Sequence, residues 1–497
     1  MSAVERVPTA QRWGDDVVAR VSTGQRLAAL TGSAARGGTR LAALLAHGGQ
    51  LDLVETVVPA GSDGYPSLAE RIPGALWYER EIHDLFGLAA LGRPRLDPLL
   101  LPLAAGTPRP RPGARRSPAT LIPEPAALPG HVEGPGVFTI PYGPVRSGVC
   151  EAVEYLVEGP GEDIQHVRVR VYAKHRGLEK RFEGMDPVTG VLLAERVEGV
   201  ASVAHALAFA QAIERIAGIG VPPAAALVRC LYAECERIAN HLHSVIGLTE
   251  AAGLAVATAR FGYHKEQIMR LLGEASGSRF GRGVITPGGV HALPAIAPEQ
   301  LLGRLTRLGR AVDADARALM GTPSFLDRLR GTGPIPHTLA AAHGALGPLA
   351  RASGLPEDVR SARPYAAYDR LGEPSGQARP TGDVLARTQQ RWAEVRDAFR
   401  LARAATDALA DRPDPQHELA VPVPPDASGR AVGWAEAPQG ELLYLVELAG
   451  GRLTRCKPRS ASFHNMALFG PSFAGDITTD FAFIEASFGL SIAGVAG

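Results

Sequence analysis

Cysteine is scarce in this chain, with four residues among 497. They stand at Cys150, Cys230, Cys235 and Cys456, and no two of them form a C-x-x-C pair. So sparse a set excludes a disulfide framework and indicates a reducing compartment. Neither sign of charge dominates, because 52 Lys and Arg stand against 51 Asp and Glu. This balance gives no electrostatic reason to expect nucleic acid as a partner.

Long apolar runs are missing as well. The first residues, MSAVERVPTAQRWGDD, are polar and charged and lack the apolar core of a secretory signal. The longest apolar stretches, such as VASVAHALAFAQAI, are shorter than the ~20 residues that a membrane helix needs. We therefore expect a soluble, cytoplasmic chain.

The chain is longer than one hydrophobic core usually allows, and its first 100 residues predict a small α/β domain. Residues 17–60 combine β-rich runs, VVARV and LDLVETVVP, with the segment LAALTGSAARGGTRLAALLAH, whose alanines and leucines predict a helix broken by glycines. IPGALWYEREIHDLFGL predicts another helix, because Trp77, Ile82 and Leu85 recur at roughly helical spacing.

The next segment of the chain is rich in proline. Its frequency after residue 92 opposes a packed helix or a central strand, so residues 101–130 are predicted to form a semi-extended linker. Residues 131–497 predict strands in GVFTIPYGPV, AVEYLVEG and QHVRVRVYAK, long helices over 187–275 and 298–410, and short strands again from 431. The predicted fold class is α+β, with a mainly α large domain and peripheral strands.

Several blocks follow one another along the chain: GPVRSGV (143–149), KHRGLEK (174–180), ERVEGVASVAHALAFAQAIE (195–214), AECERIANHL (233–242), SGSRFGRGVITPGGV (276–290), and finally RCKPRSASFHNMALF and SFGLSIAGV. Together they resemble the large catalytic subunit of [NiFe] hydrogenases and its relative, the 49 kDa subunit of respiratory complex I. Residues 71–97 resemble the signature of complex I's 30 kDa subunit. The fusion of both parts in one chain is similar to the large subunit of energy-converting hydrogenases.

The resemblance places two C-x-x-C pairs at the nickel–iron centre, because soft thiolates bind nickel and bridge it to iron. Here those positions are Glu198 and Ala201 in RVEGVASVAH, and Ser491 and Gly494 near the end. None of the four residues can donate a thiolate. The sequence therefore predicts a chain without its own NiFe centre, in which Glu198 is the one ionisable group at the former ligand positions.

The complex I resemblance also implies a histidine and a tyrosine that protonate a quinone headgroup. Their positions hold Arg146 and Gly199. An arginine cannot give up a proton near neutral pH, but Arg146 could bind a carbonyl oxygen or an anion. Quinone stays a candidate ligand, and we predict Arg146, Glu198 and His205 as the catalytic residues. For His205, which matches the family histidine behind the metal loop, a packed core role is equally expected.

The turn KHRGLEK carries further candidates. The resemblance implies that Arg176, preceded by His175, lies beside a partner subunit's [4Fe–4S] cluster, and that Glu179 is a candidate ligand of Mg²⁺. A solvated charged turn is the alternative. On the helix AECERIANHL, Glu234, Arg237 and His241 share one face at i, i+3 and i+7. This face predicts a buried polar network or a proton path, and we count the three among the candidate cofactor-binding residues. Structural ion pairs are the alternative.

Two hypotheses follow from the resemblance. In the first, the chain receives electrons from a small [4Fe–4S] subunit and passes them toward a quinone or another acceptor. In the second, it is a catalytically silent scaffold that holds the iron–sulfur subunit against antiporter-like membrane subunits. Both place it on the cytoplasmic face of a cell membrane, bound through its partners. Any NAD(P)H would bind another subunit, because no G-x-G-x-x-G follows a strand pattern here.

Overall fold

The protein is described by a computed structural model over residues 8–93, 97–116, 118–124, 132, 134–146, 151–374, 380–412 and 419–497. A β-rich N-terminal part is joined to a large, mainly helical part with strands at its periphery, which confirms the predicted α+β class. One continuous hydrophobic core extends through both. Within the described ranges, no helix combines the length and the apolar character needed to span a bilayer.

The N-terminal part is a three-stranded antiparallel meander covered by helices. It contains α1 (Ala10–Ser22), β1 (Arg26–Ala35), β2 (Gly38–His47), β3 (Gln50–Pro59), β4 (Gly64–Pro66), α2 (Leu76–Phe86) and β5 (Ala89–Leu91). β4 precedes α2 in the chain and β5 follows it, and these two strands pair with each other in parallel. The helix predicted in IPGALWYEREIHDLFGL is confirmed as α2.

Two local predictions for this part are wrong. The alanine- and leucine-rich segment 27–47 is not a helix but the hairpin β1–β2, which turns at Gly37 with φ 82°. Both strands are buried on both faces over most of their length, so the polar alternation that marks a half-buried strand is missing. Conversely, VVARV was expected to be a strand and lies in α1, because helix packing on β3 outweighs the β preference of valine.

The proline-rich segment after β5 has no helix or strand in its described residues beyond one isolated bridge, between Leu103 and Pro123. It is nevertheless packed at its start. Leu99 and Leu100 are buried, and their backbone N–H groups donate to the carboxylate of Asp84 at 2.8 and 2.7 Å. Asp84, near the end of α2, therefore fixes the path of the chain that follows β5.

The large part consists of a helical body, a three-stranded sheet before it, a two-stranded sheet within it and a second three-stranded sheet near the C-terminus. The strands are β6 (Val137–Tyr142), β7 (Glu154–Pro160), β8 (His166–Arg170), β9 (Ile285–Thr286), β10 (Gly289–Val290), β11 (Gly429–Ala437), β12 (Gly440–Ala449) and β13 (Arg452–Arg459). The helices are α3 (Leu178–Phe182), α4 (Pro187–Ala194), α5 (Ser202–Ala217), α6 (Pro223–Ala251), α7 (Ala255–Ser276), α8 (Pro298–Met320), α9 (Pro323–Leu329), α10 (His337–His343), α11 (Gly347–Ala352), α12 (Val359–Ala362), α13 (Tyr368–Leu371), α14 (Val384–Ala410), α15 (Ala461–Met466), α16 (Phe481–Phe488) and α17 (Ile492–Ala496).

Helix packing places α6 at the centre. It lies against α14, α7 and α16, and α5 crosses the sheet of β11 and β12. The close approach of α5 to β11 requires Gly433, because a Cβ there would lie 2.0 Å from the carbonyl oxygen of Ala208. The start of α5 and the middle of α6 are thereby brought near the C-terminal sheet.

A buried group of charges joins the two parts. Lys457 on β13 donates to Glu81 of α2 at 2.5 Å and to Glu179 of α3 at 2.8 Å. Arg455 forms an ion pair with Glu179 at 2.6 Å and donates to the carbonyl oxygen of Gly32 at 3.0 Å. Burial raises the pKa of Glu81 to about 6, although Lys457 opposes the rise. The N-terminal domain is therefore fixed to the large domain by ion pairs as well as by apolar packing.

Candidate functional site

The two loops that would carry metal ligands lie side by side, joined by Arg176. Its guanidinium donates to the carbonyl oxygens of Arg196 and Val197 at 2.9 and 2.6 Å, and to that of Ala493 at 2.8 Å. The Nδ1 atom of His175 lies 2.6 Å from the carbonyl oxygen of Ala496. We call residues 195–201 and 491–497, with Arg176, the loop frame. Its geometry is fixed largely through backbone groups.

A second set of contacts orients the C-terminal loop of the frame. The carboxylate of Glu151 accepts from the Ser491 hydroxyl at 3.0 Å and from the first backbone N–H groups of α17, including that of Ala493 at 3.2 Å. Ser460 donates to the carbonyl oxygen of Gly494 at 2.8 Å. A carboxylate at these N–H groups satisfies donors that the helix itself leaves free.

Three of the four former ligand positions are buried and Gly494 is half-buried, and their residues do not fit a nickel–iron centre. None of the four, Glu198, Ala201, Ser491 and Gly494, carries sulfur. The carboxylate of Glu198 fills the space in front of Gly494, where a Cβ would lie 1.5 Å from Oε1. A side chain at position 494 and the present Glu198 conformation exclude each other.

Glu198 faces His205 inside the protein. Oε1 of Glu198 lies 3.8 Å from Nε2 of His205, and within the described chain neither atom has a hydrogen-bond partner. Nδ1 of His205 lies 2.7 Å from the hydroxyl of Tyr444, which burial keeps protonated by raising its pKa. A tyrosine that donates to Nδ1 leaves the proton of a neutral imidazole on Nε2, directed at Glu198. A shift of about 1 Å would allow the Nε2–H group to donate a hydrogen bond to this carboxylate.

A small cavity of about 80 Å³ opens beside Gly199. A Cβ at this glycine would meet nothing within 4 Å. The cavity is lined by apolar side chains and by polar ones that include Glu236, Asn240 and Lys265. Glu236 accepts from the backbone N–H groups of residues 203 and 204 at 2.7 and 3.0 Å, and burial raises its pKa to about 8, with Glu198 adding to the rise. The lining mixes apolar and polar groups as ligand sites do, but the volume is well below the ~300 Å³ at which such sites usually begin.

Arg146 lies elsewhere. Its guanidinium donates to both carboxylate oxygens of Glu485 at 3.0 and 2.6 Å and lies over the rings of Tyr142 and Tyr155. Tyr155 donates to the same carboxylate at 2.9 Å. The ion pair with Glu485 raises the pKa of Arg146 further, although burial opposes the rise. The charge predicted to bind an anion is thus already paired, and the contacts of Arg146 do not join it to Glu198 or His205. The remainder of GPVRSGV, residues 147–149, lies outside the described residues.

Glu234, Arg237 and His241 are all fully buried on one face of α6, as their spacing predicted. Glu234 accepts from Arg237 at 3.1 Å and from the hydroxyl of Tyr368 at 2.6 Å. His241 lies 2.8 Å from the carboxylate of Glu394 through Nε2. The three belong to a buried set of ion pairs. Their role toward a cofactor stays a prediction.

Glu179 faces two cations instead of open space. Arg455 and Lys457 lower the pKa of its carboxyl, outweighing the rise that burial alone would cause. Among the residues that the structure describes, no three His, Cys, Asp or Glu side chains are placed to bind a metal ion. A second positive partner disfavours Mg²⁺ at Glu179, and this ligand role stays a prediction.

Sequence reasoning missed four residues of the site. Glu236 lies in the block AECERIANHL, but its contact with the start of α5 depends on the helix crossing. Tyr444 lies in a buried strand without any local signal, and Glu151 and Glu485 lie in unremarkable polar contexts. Only the meeting of distant segments reveals them.

Comparison with known proteins identifies three matching family models. Residues 254–427 match the respiratory-chain NADH dehydrogenase 49 kDa subunit, residues 25–110 match its 30 kDa subunit, and residues 176–246 match nickel-dependent hydrogenase. The carbon monoxide-induced hydrogenase of Rhodospirillum rubrum is 31% identical over 350 residues, which is 70% of this chain and 96% of that protein. A subunit of the NADH-quinone oxidoreductase of Streptomyces coelicolor is 31% identical over 332 residues, covering 66% of this chain and 86% of that one.

The fold is shared with a solved structure. A chain of the membrane-bound sulfane sulfur reductase, described as an archaeal respiratory membrane complex, superposes with a TM-score of 0.67 at 22% identity. The match covers 73% of this chain and 99% of that one. Relatives of the chain are thus subunits of oxidoreductases, some of them with nickel and some with quinone in their names or descriptions.

Proposed function

The chain belongs to the family that unites the large subunits of nickel-dependent hydrogenases with the 49 kDa subunit of respiratory NADH dehydrogenase, and we propose that it passes electrons onward without a NiFe centre of its own. The donor in this proposal is a [4Fe–4S] cluster of a small partner subunit. The acceptor is a quinone headgroup or another small oxygen-bearing molecule. The complex is bound to the cytoplasmic face of a membrane through antiporter-like subunits.

One observation supports this proposal above the others: the loop frame is intact, and a cavity with polar groups opens directly beside it at Gly199. Glu236 lines this cavity, and because burial raises its pKa to about 8, its carboxyl could supply a proton to a molecule reduced there. Arg176 contributes a fixed positive charge at the frame, where it would favour the reduced form of a neighbouring cluster.

A catalytically silent scaffold is the second candidate. Two observations favour it. Arg146 is already paired with Glu485, and Glu198 fills the space that a side chain at position 494 would need. In that case the frame serves only to keep the docking surface for the iron–sulfur subunit in shape, and any chemistry occurs in other chains.

The experiment fills the cavity in the purified whole complex. Gly199→Phe places a ring in open space, and Gly220→Phe is the matched control, because its Cβ also meets nothing within 4 Å. We expect reduction of a water-soluble quinone to fall by about tenfold or more in the first variant alone. Equal activity in both variants would favour the scaffold. Nickel in a one-to-one ratio with the chain would contradict both hypotheses.

A further inference from the structure

A larger cavity lies between the N-terminal domain and the helical body, with a volume of about 770 Å³. One wall is formed by the turn after α1 and the first residues of β1, residues 24–27, and the other by α10, the start of α12 and the middle of α14. It shares no lining residue with the cavity beside Gly199. Nothing in the proposed electron-transfer role uses it.

The inner wall of this cavity is charged and buried. Arg351, Asp358, Arg360 and Glu394 line it, and each is less than one-tenth exposed. These four side chains bind further charged side chains that lie deeper in the protein and do not line the cavity. We call the hydrogen-bonded set the charge network, and its members are Glu234, Arg237, His241, Arg351, Asp358, Arg360, Glu394 and Glu436.

The network has four carboxyl groups and three guanidinium groups, and Glu436 has the fewest charged donors. Glu394 accepts twice from Arg351 and also contacts His241. Glu436 accepts one guanidinium N–H, from Arg351 at 3.0 Å, and the backbone N–H of Val359 at 3.2 Å. The carboxyl of Asp358 is a further neighbour. Ionised, Glu436 would be the least compensated carboxylate of the set.

The surroundings do not supply the missing charge by direct contact. Arg391 on α14 directs its guanidinium to the carbonyl oxygens of Ser487 and Phe488. The remaining titratable or charged groups around Glu436 are already engaged in the network or neutral; they are Glu234, Arg237 and His241 on α6, Asp358 and Arg360 at α12, Tyr365 and Tyr368 near α13, and Glu394 on α14. Nδ1 of His241 has no hydrogen-bond partner within the described chain, so this nitrogen is a further group of the network that could accept a proton.

We propose that Glu436 carries one exchangeable proton for the charge network and that the 770 Å³ cavity connects this proton to solvent. Arg351 and Asp358 belong both to the cavity wall and to the surroundings of Glu436, so water in the cavity needs to cross only one layer of side chains. Burial, with Asp358 adding to it, raises the pKa of Glu436 to about 7, in keeping with this site.

The structure offers a matched control on the neighbouring strand. Glu441 on β12 pairs in register with Glu436 on β11 and is equally buried. It contacts three arginines, Arg26, Arg363 and Arg459, which together hold its pKa well below the ordinary range although burial opposes them. Glu441 should therefore stay ionised where Glu436 is protonated.

The test uses infrared spectra of the folded full chain in H₂O and D₂O, in which the carbonyl stretch of a protonated carboxyl group is separate from that of a carboxylate. The difference between wild type and Glu436→Gln at about pH 6 should show one deuterium-sensitive carboxyl band that disappears at about pH 9, whereas Glu441→Gln should leave that band in place. Identical wild-type and Glu436→Gln spectra would overturn the proposal. Should Glu436→Gln not fold, Glu436→Asp must shift the band, and an unshifted band is equally decisive against it.

The route is tested separately. Ala342→Trp places a ring at the exposed wall of the cavity, and Ala314→Trp, exposed on α8 and away from the cavity, is its control. We expect the first variant to slow deuterium uptake by the Glu436 band about tenfold and the second to leave it unchanged. Equal rates in both variants would overturn the cavity as the path of the proton.

Discussion

The loop frame, which is partly exposed, and the charge network, which is buried, are both polar, yet they are stabilised in different ways. In the frame, Arg176 and Glu151 bind backbone carbonyl and N–H groups, so the side chains at the former ligand positions contribute little to the geometry. In the network, side chains bind one another, and each carboxylate depends on an arginine. The frame should therefore tolerate loss of the Glu198 charge, whereas removal of an arginine from the network leaves buried carboxylates without their partner.

This difference explains how a family frame survives here without thiolates. Glu198, Ala201, Ser491 and Gly494 differ in size and charge from cysteine, but the peptide groups beside them have the partners they need. The chemistry of a site can therefore change while its backbone remains. A change in the charge network would instead leave a buried charge without its partner.

The largest effect is expected where the network loses its most connected arginine. Arg351→Met removes contacts to Glu394, Glu436 and Asp358 and should lower the free energy of unfolding by about 3–5 kcal/mol, because an uncompensated buried charge remains. Denaturant unfolding measures the loss. Arg310→Met on the exposed face of α8 is the control and should change stability by less than about 0.5 kcal/mol. Similar losses in both would contradict the comparison.

The frame should respond to shape more than to charge. Gly494→Ala places a Cβ against Glu198 and should cost about 2–3 kcal/mol, and adding Glu198→Ala should restore most of it. Glu198→Ala alone should be nearly neutral, because Oε1 has no hydrogen-bond partner in the described chain. The readout is a double-mutant cycle of unfolding free energies. Additive losses would show that the two residues do not share one space.

Loss of the link between the two loops should have a more local effect. Arg176→Gln leaves the carbonyl oxygens of Val197 and Ala493 without their donor and should cost about 2 kcal/mol. Deuterium exchange should rise first in residues 491–497. Arg307→Gln, exposed on α8, is the control. Unchanged exchange in the C-terminal residues would place the stability of the frame elsewhere.

The smallest expected effect is the pH dependence that Glu436 adds. Because its folded-state pKa, about 7, lies above the ordinary value of 4.5, folding takes up a proton and stability falls as pH rises through 7. Between about pH 6 and pH 8 this contribution should lower the unfolding free energy by about 1.4 kcal/mol. Glu436→Gln should lack this component. A wild-type profile that parallels the variant would contradict the assignment.

Prediction from sequence succeeded where the signal was local or shared with a family. The helix α2, the strands around residues 137–170 and the shared face of Glu234, Arg237 and His241 all follow from periodicity. The hairpin at residues 27–47 did not follow, because alanine and leucine favour a helix and only burial on both faces makes them strands. For Arg146, the charge was readable from the sequence but its partner was not, because Glu485 lies 339 positions away.

By itself, the sequence determined what four positions can offer a metal. None of the residues that the resemblance assigns to the nickel–iron centre carries sulfur, and only side chains can supply thiolate ligands. Tertiary structure decided what stands in their place. Glu198 lies against Gly494 and His205, and Glu436 pairs with one arginine whereas Glu441 pairs with three. These contacts exist only because packing brings distant segments together and removes water from between them.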